Sequence, residues 1–576
     1  MNDFLIEGNE LKRYQGSDKI VRIPEGIGII GDSAFDGCDF ITHVMIPDSV
    51  SFIEDRAFAD CTSLEEITLN ARIIGKSAFY NCISLRSVTL PDKLTSIHRC
   101  AFAFCKSLTS IRISNYLDSI EESAFEGTAL QEITLPSSLQ ILSYGAFQDC
   151  TALTKVTISG KLRYIDQKTF RNCTNLKEVT LPDTIQEINW KAFENCCSLK
   201  KINFPESLTS IGNDVFSACK SLPSLEFPEQ LSSVGANAFN GCTGLTRVSI
   251  PASLTVIPDD AFFPCESLRE FIVSPNHPNY ASLDGVLYSR SMKTLIRCPQ
   301  AKTELTIPGT VECIRNSAFS QCTKLKTITI PNSVRTIERC AFRSCTALTS
   351  VTIPEGIISI ESYMFENCSS LTEIHLPDSL NSINTDAFKH CTSLKTVTLP
   401  EQFTIIRQNA FNGCTALTSV NIPENIWQID NTAFQNCPNL TLHYHHYDFA
   451  PDMTDTIIET VEFLKTGKFS PKKMSSTKAL IAFEMYFALV GDQNLADCIT
   501  QNFEKMFRAL INGRCIDMIQ QIIDSGQFIT KQNIDGLIRY AIGRKATDIQ
   551  LRLTDYKNKT LGYDDIDDVI RKKFDL

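Results

Sequence analysis

The residues best able to do chemistry in this 576-residue chain are its 23 cysteines, and their spacing points away from it. Sixteen share one register, three residues after a recurring phenylalanine, from Cys38 to Cys437, with Thr128 the one replacement in that column. A zinc site groups thiolates at short offsets such as C-x-x-C, and a disulfide framework pairs them at differing spacings in a small secreted domain. One register repeated sixteen times fits neither. It reads as a small, weakly hydrogen-bonding core thiol aimed at the backbone of a neighbouring turn. The other seven, Cys100, Cys197, Cys298, Cys313, Cys340, Cys498 and Cys515, form no C-x-x-C pair. So many unpaired thiols suit a reducing compartment such as the cytoplasm, or an anaerobic habitat.

Histidine is the next candidate. His443 and His445 would share one face of a strand, with His446 beside them, and two imidazoles at that spacing can begin a metal site. A third ligand of fixed geometry is not evident, so no metal is expected. There is no nucleophile elbow, no phosphate-cradling glycine-rich loop and no H-E-x-x-H. The chain therefore reads as a non-enzyme without a cofactor, with an activity hidden in its C-terminal part as the alternative.

The elements that must position these side chains are repeated. Seventeen phenylalanines, from Phe35 to Phe434, mark copies of a pattern about 23 residues long, L-x-x-I-x-I-P-x-x-L-x-x-I-x-x-x-A-F-x-x-C-x-x. Five residues before each Phe stands an aliphatic residue in all copies, and a column that never turns polar is a buried column. Alanine precedes the Phe in fourteen copies, with Thr169, Val215 and Met364 as exceptions, so small volume is wanted where coils press together. The L-x-x-I-x-I run, for example Leu176, Val179 and Leu181, alternates with period two and predicts a strand with one buried face. Proline after most strands, such as Pro182 and Pro205, ends the pairing. The A-F-x-x-C segment reads as a short helical turn or 3₁₀ piece. Self-similarity at this period predicts a solenoid whose coils bury their apolar edges only by stacking.

I-P-x-x-[VIL]-x-x-I-x-x-x-A-F-x-x-C-x-x-L resembles the BspA-like class of leucine-rich repeats, which occurs in many bacterial proteins. The resemblance covers about three quarters of the chain. It implies an α/β leucine-rich repeat solenoid of about 17 turns with one parallel sheet, and a role in binding macromolecules, often as an exported cell-surface adhesin. It carries over no catalytic residue, because the motif is wholly structural.

The expected organisation is a capping hairpin over residues 1–24, the solenoid over 25–447, a junction and linker over 448–476, and a small all-α domain over 477–576. The hairpin is read from Leu5–Ile6, a Gly8–Asn9 turn and Leu11–Tyr14. It either caps the core or forms a partner-binding flap. The opening residues show no basic region followed by an apolar one, so a cytoplasmic chain without a secretory signal is expected, a cell-surface protein being the alternative. Between Phe262 and Phe319 lie 57 residues where one period would be 23. This insertion, at about 274–307, reads as strands Val286–Tyr288 and Thr294–Arg297 around a polar turn, either a binding protrusion or a buttress. Apolar residues at helical spacing fill the tail, where 507–524 and 538–555 align at an offset of 31, a weakly ankyrin-like period. The tail is either a cap or a second interaction module.

A net charge of −11 argues against nucleic acid or an anionic membrane as the main partner, since both want a basic face. No apolar run is long enough to span a bilayer. A monomer that binds a protein, or less plausibly a glycan, is expected. Contact candidates are the alternating charges Glu132, Lys155, Glu178 and Lys201 on successive strands, continued by Arg247 and Glu270. Trp190 and Trp427 join them as exposed anchors or rings half-buried between loops, as do Tyr280 and Tyr288 of the insertion.

Overall fold

The computed structural model describes residues 3–444, 447–466, 474–488 and 493–562. It divides into two units: residues 1–357 with 361–374 and 390–393, and residues 358–360 with 375–389 and 394–576.

In the first unit the recurring phenylalanines form two files of stacked, buried rings. Phe35 and Phe58 lie 4.9 Å apart with planes 11° from parallel, and Phe193 and Phe216 5.4 Å apart at 1°. Each ring is covered only because the next coil lies on it, which adds about 0.5–1.5 kcal/mol per pair to its area burial. The backbone sets the spacing. The Phe amide donates to the alanine carbonyl of the following coil, as from Phe35 to Ala57 and from Phe170 to Ala192, both 2.8 Å. Thr169 is accepted in the alanine column because its buried hydroxyl donates to the Asp166 carbonyl, 2.8 Å away.

The A-F-x-x-C segment is a pair of tight turns, not the expected helical or 3₁₀ piece. Residues two before and two after the Phe hold positive φ, for example Lys168 at 56° and Asn172 at 60° around Phe170. Left-handed residues at that interval stop any right-handed helix from propagating. Asn, Asp and Gly recur at the second position because they tolerate this conformation best.

Two parallel ladders run along the coils where one was expected. The wide ladder carries the period-two strands, such as Glu132–Leu135, Lys155–Ile158 and Glu178–Thr180, paired in register. The narrow one uses two residues per coil at the aliphatic column, as in Ser96–Ile97, Ser119–Ile120 and Ile141–Leu142. Two residues are too few for alternation to show. The short repeats are absorbed in loops: Ile53 and Ile74 stay paired across the 21-residue period, and Phe125 and Phe147 stack at 5.3 Å.

The solenoid has about 19 turns, against 17 marked by phenylalanine. Tyr14 and Cys298 stand in the Phe place of unmarked coils. Their amides donate to the carbonyls of Ala34 and Ala318, each at 2.8 Å, as a Phe amide does. Tyr14 ends an antiparallel hairpin of Phe4–Glu7 and Glu10–Tyr14, and its ring stacks on Phe35 at 5.3 Å. Cys298 follows the insertion, a meander of three strands, Tyr280–Leu283, Val286–Ser289 and Thr294–Arg297, the first of which was not expected. The last joins the narrow ladder through Cys313–Ile314. Across the insertion the aromatic file is interrupted: Phe262 meets Phe271 edge-on at 73°, and stacking resumes at Phe319 and Phe342.

In the second unit Phe388, Phe411 and Phe434 stack at 5.2 and 5.3 Å, and the wide ladder ends with Thr441–Tyr444 against the antiparallel Tyr447–Phe449. Six helices follow among the described residues: α1 Thr454–Thr466, α2 Ser476–Ala488, α3 Gln493–Gly513, α4 Ile516–Ser525, α5 Ile534–Gly543 and α6 Thr547–Lys559. Helix α1 lies against Gln428–Ile429, and α2 to α6 enclose a core of Phe483, Phe503, Phe507, Ile522, Leu537 and Leu553. The offset of 31 is structural, since Met518 and Ile522 of α4 and Ile549 and Leu553 of α6 are all buried. Most of the connector read at 467–476 lies outside the described residues.

Candidate partner-binding face

The repeat places side chains eight residues after each Phe, or seven after Phe125 where the period is one residue short, next to one another on the outward side of the wide ladder. Glu132, Lys155, Glu178 and Lys201 are direct register neighbours on four strands. Glu178 sits between two cations, 2.8 Å from the Lys201 ammonium and 3.8 Å from that of Lys155. The Lys201 hydrogen bond and charge, with Lys155 behind it, hold the Glu178 carboxyl below the usual carboxylate range. Two strands beyond Lys201, Arg247 and Glu270 are neighbours bonded at 2.7 Å. The threonines Thr68, Thr89, Thr180, Thr329 and Thr352 continue this outward face, all exposed, and Thr398 of the second unit is exposed as well. The face is a file of mixed charges interleaved with short hydroxyls.

Trp190 lies away from that file, in the loop before its Phe. Its ring is 39% exposed, its indole N–H donates to Asp214 at 3.3 Å, and the Lys168 and Lys191 ammoniums sit 5.0 and 5.2 Å from the ring. Lys168 also lies 5.0 Å from the Tyr144 ring. The sequence reading missed Tyr144 and Lys168. The signal was present, because Tyr144 and Trp190 both stand three residues before their Phe, and Lys168 and Lys191 two before theirs. Trp427 is 59% exposed.

Tyr280 and Tyr288 are corrected: both are buried and offer nothing to a partner. Tyr288 is 1% exposed, and burial pushes its hydroxyl pKa up. The Tyr280 hydroxyl accepts from the Ile257 amide, 3.3 Å away, so it braces the coil beneath. Beside it His277, 1% exposed, accepts at Nδ1 from the Asn279 and Tyr280 amides and donates from Nε2 to the Leu254 carbonyl, each at 3.0 Å.

The thiol column is a hydrogen-bond ladder. Cys173 Sγ donates to the Phe147 carbonyl at 3.1 Å, and Cys219 to that of Phe193 at 3.2 Å. Burial raises the Cys173 pKa well above its ordinary value, which keeps the thiol protonated and unreactive. His443 Nδ1 lies 2.6 Å from Asp448 Oδ1, while His445 and His446 lie outside the described residues. Among the described residues no group of three His, Cys, Asp or Glu could hold a metal ion, and no helix is long and apolar enough to cross a membrane.

The chain matches the model of the BspA type leucine rich repeat region in six copies over residues 14–74, 72–196, 186–296 and 297–414. No curated protein matches it. Among solved structures, a leucine-rich repeat protein from Eubacterium ventriosum is 29% identical, covering 50% of this chain and 77% of its own, with a TM-score of 0.46. One from Bacteroides ovatus is 23% identical over 76% of this chain and 94% of its own, with a TM-score of 0.43. A leucine rich cell surface protein from Faecalibacterium prausnitzii is 25% identical over 77% and 92%, with a TM-score of 0.30. Together with the repeat of stacked phenylalanines and thiols seen here, the match over residues 14–414 establishes that this chain belongs to the BspA-type leucine-rich repeat family.

Proposed function

We propose that the chain is a non-catalytic binding scaffold that engages a protein partner through the outward face of its wide parallel ladder. The observation that supports this is the register of Lys155, Glu178 and Lys201, whose charges are held in place by the buried file beneath them. A rigid surface loses little freedom on binding, and complementary charge sets orientation and choice of partner. In this reading residues 25–447 present the surface, a monomer suffices, and the helical residues 477–576 form a separate module. The thiol ladder favours a reducing compartment, the cytoplasm, over an exported adhesin.

A photo-crosslinking amino acid placed at Thr180, on the outward face, and at Asn195, on the turn side, tests the reading in cells of the source. Discrete protein adducts are expected from Thr180 alone and are lost when Glu178→Lys is added. Equal adducts at both positions, or adducts that survive Glu178→Lys, sink it.

A further inference from the structure

Strand pairing along the wide ladder lapses at several coils of the first unit, and one lapse falls at the insertion. Arg247–Ile250 pairs with Glu270–Val273, and Glu304–Thr306 pairs with Thr327–Thr329, but Glu270–Val273 and Glu304–Thr306 do not pair with each other. A groove of about 1020 Å³ opens there. Its two walls differ. On the Glu270–Val273 side the hairpin seals the edge, because the Phe271 amide donates to the Gly285 carbonyl at 2.9 Å. Gly285 has φ +77°, and a Cβ there would lie 2.7 Å from Glu270 Cβ, so only glycine lets the hairpin approach so closely.

The Glu304–Thr306 side is open. Toward the next coil this strand uses the Thr303 carbonyl, which accepts from the Lys326 amide at 2.8 Å, and the Ile307 amide, which donates to the Thr329 carbonyl at 3.0 Å. The alternation of a strand turns the intervening groups, the N–H and C=O of Glu304 and Thr306, into the groove. Among the described residues no strand pairs with this edge on the groove side. Leu305, in the column where Val248 and Phe271 are buried, is only half-buried and lines the groove. Arg269, Lys302 and Lys324 line it against Asp284 and Glu304, giving an excess of positive charge within a chain of net charge −11. Neither Arg269 nor Lys302 has an ion-pair partner among the described residues.

We propose that this groove binds an extended, acidic segment of a partner protein by strand addition to the Glu304–Thr306 edge. The segment's main chain bonds the open groups of Glu304 and Thr306, an apolar side chain packs on Leu305, and an acidic side chain meets Arg269 and Lys302. The proposal rests on the scaffold reading and assigns it a second, independent contact.

The probe is a pair of fluorescent pentapeptides with alternating valines, one carrying two glutamates and the other two lysines, titrated against the full chain by fluorescence polarisation. The acidic peptide is expected to bind, and the lysine peptide at least about 10-fold more weakly. Thr306→Pro removes one open amide without touching the bonds to the next coil and should weaken binding about 10-fold. An acidic peptide N-methylated at alternate residues should lose as much while leaving the protein untouched. Arg269→Glu with Lys302→Glu should reverse the charge preference. Equal binding of the two peptides, no binding, no effect of N-methylation, or self-association of the chain that consumes the groove overturns the proposal. Thr306→Pro leaves the Thr180 crosslinks intact, so failure here does not carry over to the outward face. Failure there leaves the peptide titration standing.

Discussion

The thiol of Cys173 donates to the main-chain carbonyl of Phe147, 3.1 Å away in the preceding coil, and both are fully buried. The same bond recurs from Cys61 to Phe35 and onward to Cys437 and Phe411, which makes the column a chain of inter-coil ties. Cys173→Ala removes the donor and opens a small void. A loss of about 1–3 kcal/mol is expected in urea unfolding. Cys173→Thr should cost less, because Thr128 shows that a hydroxyl in this column turns to its own Phe125 carbonyl at 3.0 Å.

Alkaline pH should unfold the protein through these thiols. Burial pushes the Cys368 pKa from 9.0 up to about 12, and those of Cys150 and Cys265 equally. Between these values the unfolded chain has released the proton and the folded chain has kept it. Stability is therefore complete below pH 9 and falls as pH rises, by up to about 1.4 kcal/mol per unit for each such thiol. Denaturant midpoints at pH 8 and pH 10 should differ sharply. Replacing Cys150, Cys265 and Cys368 by threonine should shrink that difference.

Ala218 occupies the left-handed position two residues after Phe216, at φ 60°, where eleven of the other sixteen coils place Asn, Asp or Gly. Ala218→Asn is expected to raise stability by about 0.5–1 kcal/mol, read as a higher midpoint at unchanged denaturant slope. No change would mean that the coil relaxes around alanine.

Arg297 is the buried fastener of the interruption. Its guanidinium donates to the Ser317 carbonyl at 2.7 Å and to the Asp259 carbonyl, and Gln300 beside it bonds the Cys265 amide and the Ser320 carbonyl. Arg297→Ala removes both bonds from a buried position, at a cost of about 2–4 kcal/mol. Amide exchange should accelerate over 259–265 and 317–322. Unchanged protection in both stretches would show that Arg297 fastens nothing.

What followed the period was readable in advance. The burial of the phenylalanines, of the aliphatic column and of the thiols, and the adjacency of Glu132, Lys155, Glu178 and Lys201, all come from one rule: equal spacing puts equivalent residues side by side. The tight turns were misread because 3₁₀ pieces and β-turns share the same i to i−3 bonds, as from Cys38 N to Phe35 O. The sign of φ at residues such as Asn172 and Asn195 separates them, and their Asn side chains were the unread signal. Tyr280 and Tyr288 were misplaced because the insertion has no period from which to infer a buried side.

The sequence by itself determined the coil: a 23-residue unit whose apolar columns have nowhere to hide except against a copy of themselves. Only the tertiary structure decided which residues start the two stacks, Tyr14 and Cys298, and that the wide ladder opens between Glu270–Val273 and Glu304–Thr306. The reason is that stacking is a local, repeated bargain of sterics and hydrogen bonds written into every copy. Where the copies stop, the outcome depends on single long-range contacts, such as Phe271 with Gly285 and Arg297 with Asp259, which no pattern records.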